Sequence, residues 1–74
     1  YLSLANNKLS EIPEDIAWLS SLKKLDLQGN QITIIPTFIK ELLKLEELNL
    51  SHNPISSSEI SRLKKLLPTS KIIV

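Results

Sequence analysis

The sequence predicts an α/β solenoid. One parallel β-sheet takes a single short strand from each coil, and helical segments carry the chain back from strand to strand. Three observations lead there. A frame of leucines returns every 23 residues, with Leu2, Leu25 and Leu48 in one phase and Leu4, Leu27 and Leu50 in a second. An asparagine keeps the same interval, at Asn7, Asn30 and Asn53. The connecting segments also repeat in phase, as Ile12-Pro13-x-x-Ile16-x-x-Leu19-x-x-Leu22 and then Ile35-Pro36-x-x-Ile39-x-x-Leu42-x-x-Leu45. A constant period of this kind marks a stacked repeat, in which each coil buries its face on its neighbour.

Each element follows from local chemistry. Leu25 and Leu27 are two apart, so in an extended chain they point to one side while Asp26 points to the other. The same spacing places strands at Leu2–Leu4, Lys24–Leu27, Glu47–Leu50 and Lys71–Val74. Asn30 falls where the chain must turn. It carries amide donors and a carbonyl acceptor, so a buried asparagine there can bond backbone groups of its own and the adjoining coil. Gly29, the sole glycine, relaxes the backbone just before it. Pro13 suits the first helical position, where a missing N–H costs nothing, and Glu14 and Asp15 suit the positive end of a helix. Ile16 and Leu19 then share a face, which predicts about two helical turns before Leu22.

The second coil repeats this from Pro36, with Ile39 and Leu42 facing in. It departs from the first at three places: Ile34 stands for Glu11, Phe38 for Asp15 and Leu43 for Ser20. Trp18 is the reverse case, since the second coil has Glu41 there. The third coil begins normally and then changes. Ser56-Ser57-Ser58-Glu59 replaces the Ile-Pro turn, and Ile60, Leu63, Leu66 and Leu67 line one face of a longer helix. One of the serines is expected to cap it. Lys64 and Lys65 suit its negative end, and Pro68 comes just past its last turn. Ile72 stands 24 residues after Leu48, so the last strand carries one inserted residue.

The pattern Leu-x-x-Leu-x-Leu-x-x-Asn-x-Ile, read at Leu22 to Ile32 and again at Leu45 to Ile55, resembles the leucine-rich repeat family. With the Ile-Pro continuation it is similar to the 23-residue subclass found in bacterial repeat proteins and in intracellular scaffolds such as Scribble. The resemblance implies a right-handed, horseshoe-like arc, with the strands on the inner, concave wall and the helices outside. It implies protein binding as the activity of the intact protein. The altered last coil looks like the closing unit of bacterial members. Residues 1–74 are then one segment of about three repeats plus that unit. The chain opens at Tyr1 in mid-repeat, so upstream repeats or a cap are expected to be missing.

Composition narrows the function. Nine basic and eight acidic residues give a net charge of +1, a balance that argues against an electrostatic nucleic-acid binder or a polybasic membrane anchor. No apolar run approaches the ~20 residues of a membrane span. Absent cysteines rule out a thiol nucleophile and a disulfide framework. That composition favours the cytoplasm, while a secreted or cell-surface bacterial protein stays open. His52 is the sole histidine and has only Ser51 beside it. No spacing suggests a metal site, a catalytic set or a cofactor cradle. The chain is therefore expected to be no enzyme and to hold no cofactor.

The candidate working surface is the outward side of the strands. Its columns centre on Lys24, Asp26, Gln28, Glu47, Asn49 and His52. The competing view is a solvated face on which Lys24 and Glu47 form a weak surface pair. A second candidate is a convex patch of Trp18 and Phe38, with Leu43 beside it. Its competitor is a pair of aromatics lying flat over the coil junctions. The primary expectation is a protein-interaction module. The alternatives are a recognition or regulatory segment of a larger enzyme, such as a ligase or GTPase, and a purely structural or designed scaffold. The uncovered N-terminal face, with Leu2, Leu4, Leu9 and Ile12, is expected to promote self-association.

Overall fold

The computed structural model describes residues 1–74. Strands β1 (Leu2–Ser3), β2 (Lys24–Asp26), β3 (Glu47–Asn49) and β4 (Lys71–Ile73) form one sheet in the order β1-β2-β3-β4, every pair parallel. Leu25 lies opposite Leu2 and Leu48, and Leu48 lies opposite Ile72, so the inserted residue is absorbed before β4. Each strand ends a residue earlier than expected, but the bonding runs on. Leu4 N–H donates to Asp26 O and Leu27 N–H to Asn49 O, both at 2.8 Å.

The core lies behind the sheet. Leu25, Leu27, Ile32, Ile35, Ile39, Leu42, Leu48, Leu50 and Leu63 are all but inaccessible. Coil two supplies most of them, because it alone has a coil on each side. Leu2, Leu4 and Leu9 of the first coil are only half-buried.

The outer segments correct one expectation. Where about two turns of ordinary helix were predicted, Glu14–Trp18 and Thr37–Glu41 form short 3-10 helices. Pro13 and Pro36 stand just outside them, with extended ψ of 133° and 151°, as caps instead of first helical residues. Five residues must cross the back of a coil whose length is set by the strand spacing. The tighter, longer-rising 3-10 geometry covers that distance with fewer residues. Only the last coil has a true α-helix, α1 (Ser57–Leu66), capped by Ser56, whose Oγ accepts from Glu59 N–H at 3.3 Å. Leu63 plugs it into the core.

The asparagines do what their period predicts. Asn30 is 5% exposed. Its Oδ1 accepts from Asn7 and Leu9 N–H, each at 3.0 Å, and its Nδ2 donates to Leu4 O at 3.0 Å and Leu27 O at 2.9 Å. Asn53 reaches back in the same way, accepting from Ile32 N–H and donating to Leu27 O and Leu50 O. One amide side chain thus stitches each coil to the one before it, where unpaired backbone groups would otherwise be costly.

Candidate functional site

The sheet presents its outward side chains in register. Lys24 faces Glu47, which faces Lys71, and Asp26 lies between Ser3 and Asn49. Lys24 is exposed, Glu47 half-buried, and the two form no ion pair; the sole ion pair of the chain is Glu59–Arg62. The Lys24–Glu47 pair of the competing solvated-face view is therefore absent. Two flexible, hydrated side chains on an open wall gain too little from pairing to hold one geometry.

The next column is occupied by local work. Asp26 Oδ1 accepts from Gln28 N–H at 3.0 Å, and Asn49 Oδ1 accepts from Ser51 N–H at 3.0 Å and from Ser51 Oγ at 2.8 Å. Ser3 Oγ makes a longer version of the same bond with Ala5 N–H, at 3.5 Å. Such contacts two residues on stabilise the turn that leaves each strand. Across the coils, Asn49 Nδ2 donates to Gln28 Oε1 at 3.4 Å, and Tyr1 OH donates to Asp26 Oδ2 at 3.4 Å. Asp26, Gln28 and Asn49 are thus tied to one another and to the backbone, which fixes their positions.

At the rim, Asn6, Gly29 and His52 share one phase and one backbone state, with φ of 59°, 71° and 60°. Each coil turns off the wall through this left-handed residue. His52 is exposed there. The structure therefore brings Lys24, Asp26, Gln28, Glu47, Asn49 and His52 onto one continuous wall.

It does not bring Trp18 and Phe38 together. Trp18 is 84% exposed and lines a hollow with Tyr1, Leu2 and Leu19 at the N-terminal face. Phe38 is half-buried against the core and lines a different hollow with Ile34 and Pro36. One aromatic projects and the other seals, so the convex patch is two separate surfaces.

One cluster was missed in the sequence. Glu59 and Arg62 of α1 grip the Ile35 peptide from both sides. Glu59 Oε2 accepts from Ile35 N–H at 2.7 Å, Arg62 Nη2 donates to Ile35 O, and the two side chains pair through Nε and Nη2, each at 2.9 Å. Together they serve both backbone groups of a residue that sits outside any sheet ladder. The guanidinium of Arg62, and next the Ile35 N–H, hold the Glu59 carboxyl down to about 2. The available signal was Ser56-x-x-Glu59, a capping-box spacing. Only half of that box forms, because the carboxylate turns to Ile35.

A family model described as leucine-rich repeats (two copies) matches residues 1–41 and 20–65. The chain belongs to the leucine-rich repeat family. No curated protein matches the sequence. Among solved structures, a leucine-rich repeat protein of Leptospira interrogans is 44% identical, superposes with a TM-score of 0.92, and is matched over 97% of this chain and 18% of its own. The chain thus spans under a fifth of the length of that relative. The bacterial side of the resemblance is the one this match supports. The match supports a repeat protein of interaction-module type.

Proposed function

We propose that this leucine-rich repeat segment is a non-catalytic module that holds another protein against its concave wall, in the cytoplasm. The observation that carries the reading is the wall itself. Side chains of both charges and amides stand in strand-registered rows, while the leucines of the same strands point into the core. The Asp26 and Asn49 bonds pre-order two of these side chains, which lowers the entropy lost on binding. The mixture of signs suits a specific contact more than bulk attraction.

The test must spare the turns. Asp26→Asn retains the turn-holding oxygen, as Asn49 shows one strand away, so it is combined with Glu47→Gln and with His52→Asn, since Asn6 holds the same left-handed turn in the first coil. Against a partner of the full-length protein, this variant should bind at least ~10-fold more weakly, the equivalent of about 1.4 kcal/mol. Trp18→Ala with Phe38→Ala should leave binding within about twofold, on the same scale. The opposite result would move the site off the wall. Fractionation of the source cells tests the compartment.

A further inference from the structure

Between coils one and two, on the side away from the strands, lies a hollow of about 710 Å3. Pro13 and Pro36 stand in its walls, and Ile34 and Phe38 supply its apolar surface. Glu11 and Glu14 are its charged members. The residues that line it come from coils one and two.

Three features set this hollow apart from chance surface. Ile34 and Phe38 occupy phases that are Glu11 and Asp15 in the first coil, so the apolar character is not demanded by the repeat. Ile34 is 66% exposed and so adds little to the core, while Phe38 is packed on the core with part of its surface open. Glu11 and Glu14 are exposed and in no ion pair, and no lysine, arginine or histidine lines the hollow. An apolar floor beside uncompensated carboxylates is complementary to an apolar side chain flanked by a cation. The volume lies in the range of pockets for small ligands, enough for a few side chains and far too small for a folded domain.

We propose that this hollow is a second docking site, independent of the concave wall, for a short protein segment that places a leucine-sized side chain next to lysine or arginine. The apolar side chain lies on Ile34 and the open face of Phe38. The neighbouring cation sits between the Glu11 and Glu14 carboxylates. Lysine and arginine suit such a place because their stems can lie along the apolar wall while the charged head stays at the rim.

The test uses the 15N-labelled 74-residue chain and three peptides: acetyl-Arg-Leu-Arg-Leu-amide, its Glu-Leu-Glu-Leu counterpart and acetyl-Arg-Gly-Arg-Gly-amide. The first should move the amides of Ser10–Ile12, Glu14, Thr33–Ile35, Thr37 and Phe38 and leave those of Lys24–Gln28 and Glu47–Ser51 in place, saturating by about 5 mM, the affinity expected of a few contacts. The other two should bind at least ~10-fold more weakly. Ile34→Glu, which restores the residue of the sister coil, and Glu11→Gln with Glu14→Gln should each reproduce that loss in variants whose spectra remain dispersed. Equal response to the acidic peptide, shifts centred on the wall, or no shift at all would overturn the proposal. Shifts on the wall would leave the concave reading standing, and their absence would not harm it.

Discussion

Asn30 is the residue on which the stacking of the coils most depends. Its side chain bonds backbone groups of the coil before it and of its own. Asn30→Ala leaves several of those groups buried and unpaired, so it should cost about 1–3 kcal/mol in urea unfolding. Asn7→Ala should cost much less, since Asn7 is exposed and has no earlier coil in this chain to reach. Gly29 poses a different problem. Its φ of 71° is shared with Asn6 and His52, so the turn itself accepts a side chain. Yet a Cβ on Gly29 would collide with Asn6 Oδ1. Gly29→Ala should therefore lose about 1–2 kcal/mol for the left-handed backbone, plus the displacement of Asn6. A double-mutant cycle with Asn6→Gly separates the two. The pair should be less destabilised than the sum of the single changes, and strict additivity would show that only the backbone matters.

At the scale of one element, α1 is held by more than its apolar face. The Glu59–Arg62 grip on Ile35 ties it to the second coil at a peptide the repeat leaves without a ladder partner. Glu59 has a carboxyl pulled from 4.5 to about 2, first by the Arg62 hydrogen bond and then by the Ile35 N–H. A lowered folded value means that the unfolded chain takes up the proton first. The contribution is therefore complete above about 4.5 and is lost as the pH falls toward 2. The urea midpoint should drop across that window, with amides of α1 exchanging faster than those of β2. Glu59→Gln should remove this part of the acid dependence and lower stability at neutral pH. An unchanged acid profile in that variant would show that the grip contributes nothing. The 3-10 segments differ in kind: they are spacers, and Ile16 and Ile39 are their only buried residues.

Across the whole molecule, protection is uneven because each coil depends on its neighbours. The second coil has one on each side, and its inward leucines and isoleucines are closed to solvent. The first has only the second, and its Leu2, Leu4 and Leu9 stay partly open beside the exposed Tyr1, Trp18 and Leu19. Strand β1 also has a single partner, leaving an open edge. Isolated, the 74-residue chain should self-associate through this face in sedimentation experiments. Trp18→Glu, which installs the residue found one coil later at Glu41, should raise the dissociation constant at least ~10-fold. A parent that stays monomeric near 1 mM would contradict this, the affinity of even a weak interface. Hydrogen exchange should be fastest in the first coil and slowest at Leu27 and Leu50, since local opening follows packing.

The sequence by itself determined the repeat, the parallel strand order, the inward leucines, the role of Asn30 and the longer final helix. These are legible because periodicity encodes which side of a strand or coil a residue faces, and stacking turns that period directly into neighbours. The concave wall was legible for the same reason, as the complement of the core. Tertiary structure alone decided the rest. The outer segments are 3-10 because the distance across a coil, and not helix propensity, sets their rise. Lys24 and Glu47 are in register but unpaired because the wall is open to water. Trp18 and Phe38, both large and both aromatic, part company because one lies at the first coil's uncovered side and the other between two coils. Glu59 turns from its capping role to Ile35 because a free peptide and Arg62 meet it there. In each case the outcome depends on a distance or an exposure between residues far apart in the chain, and no local pattern carries that information.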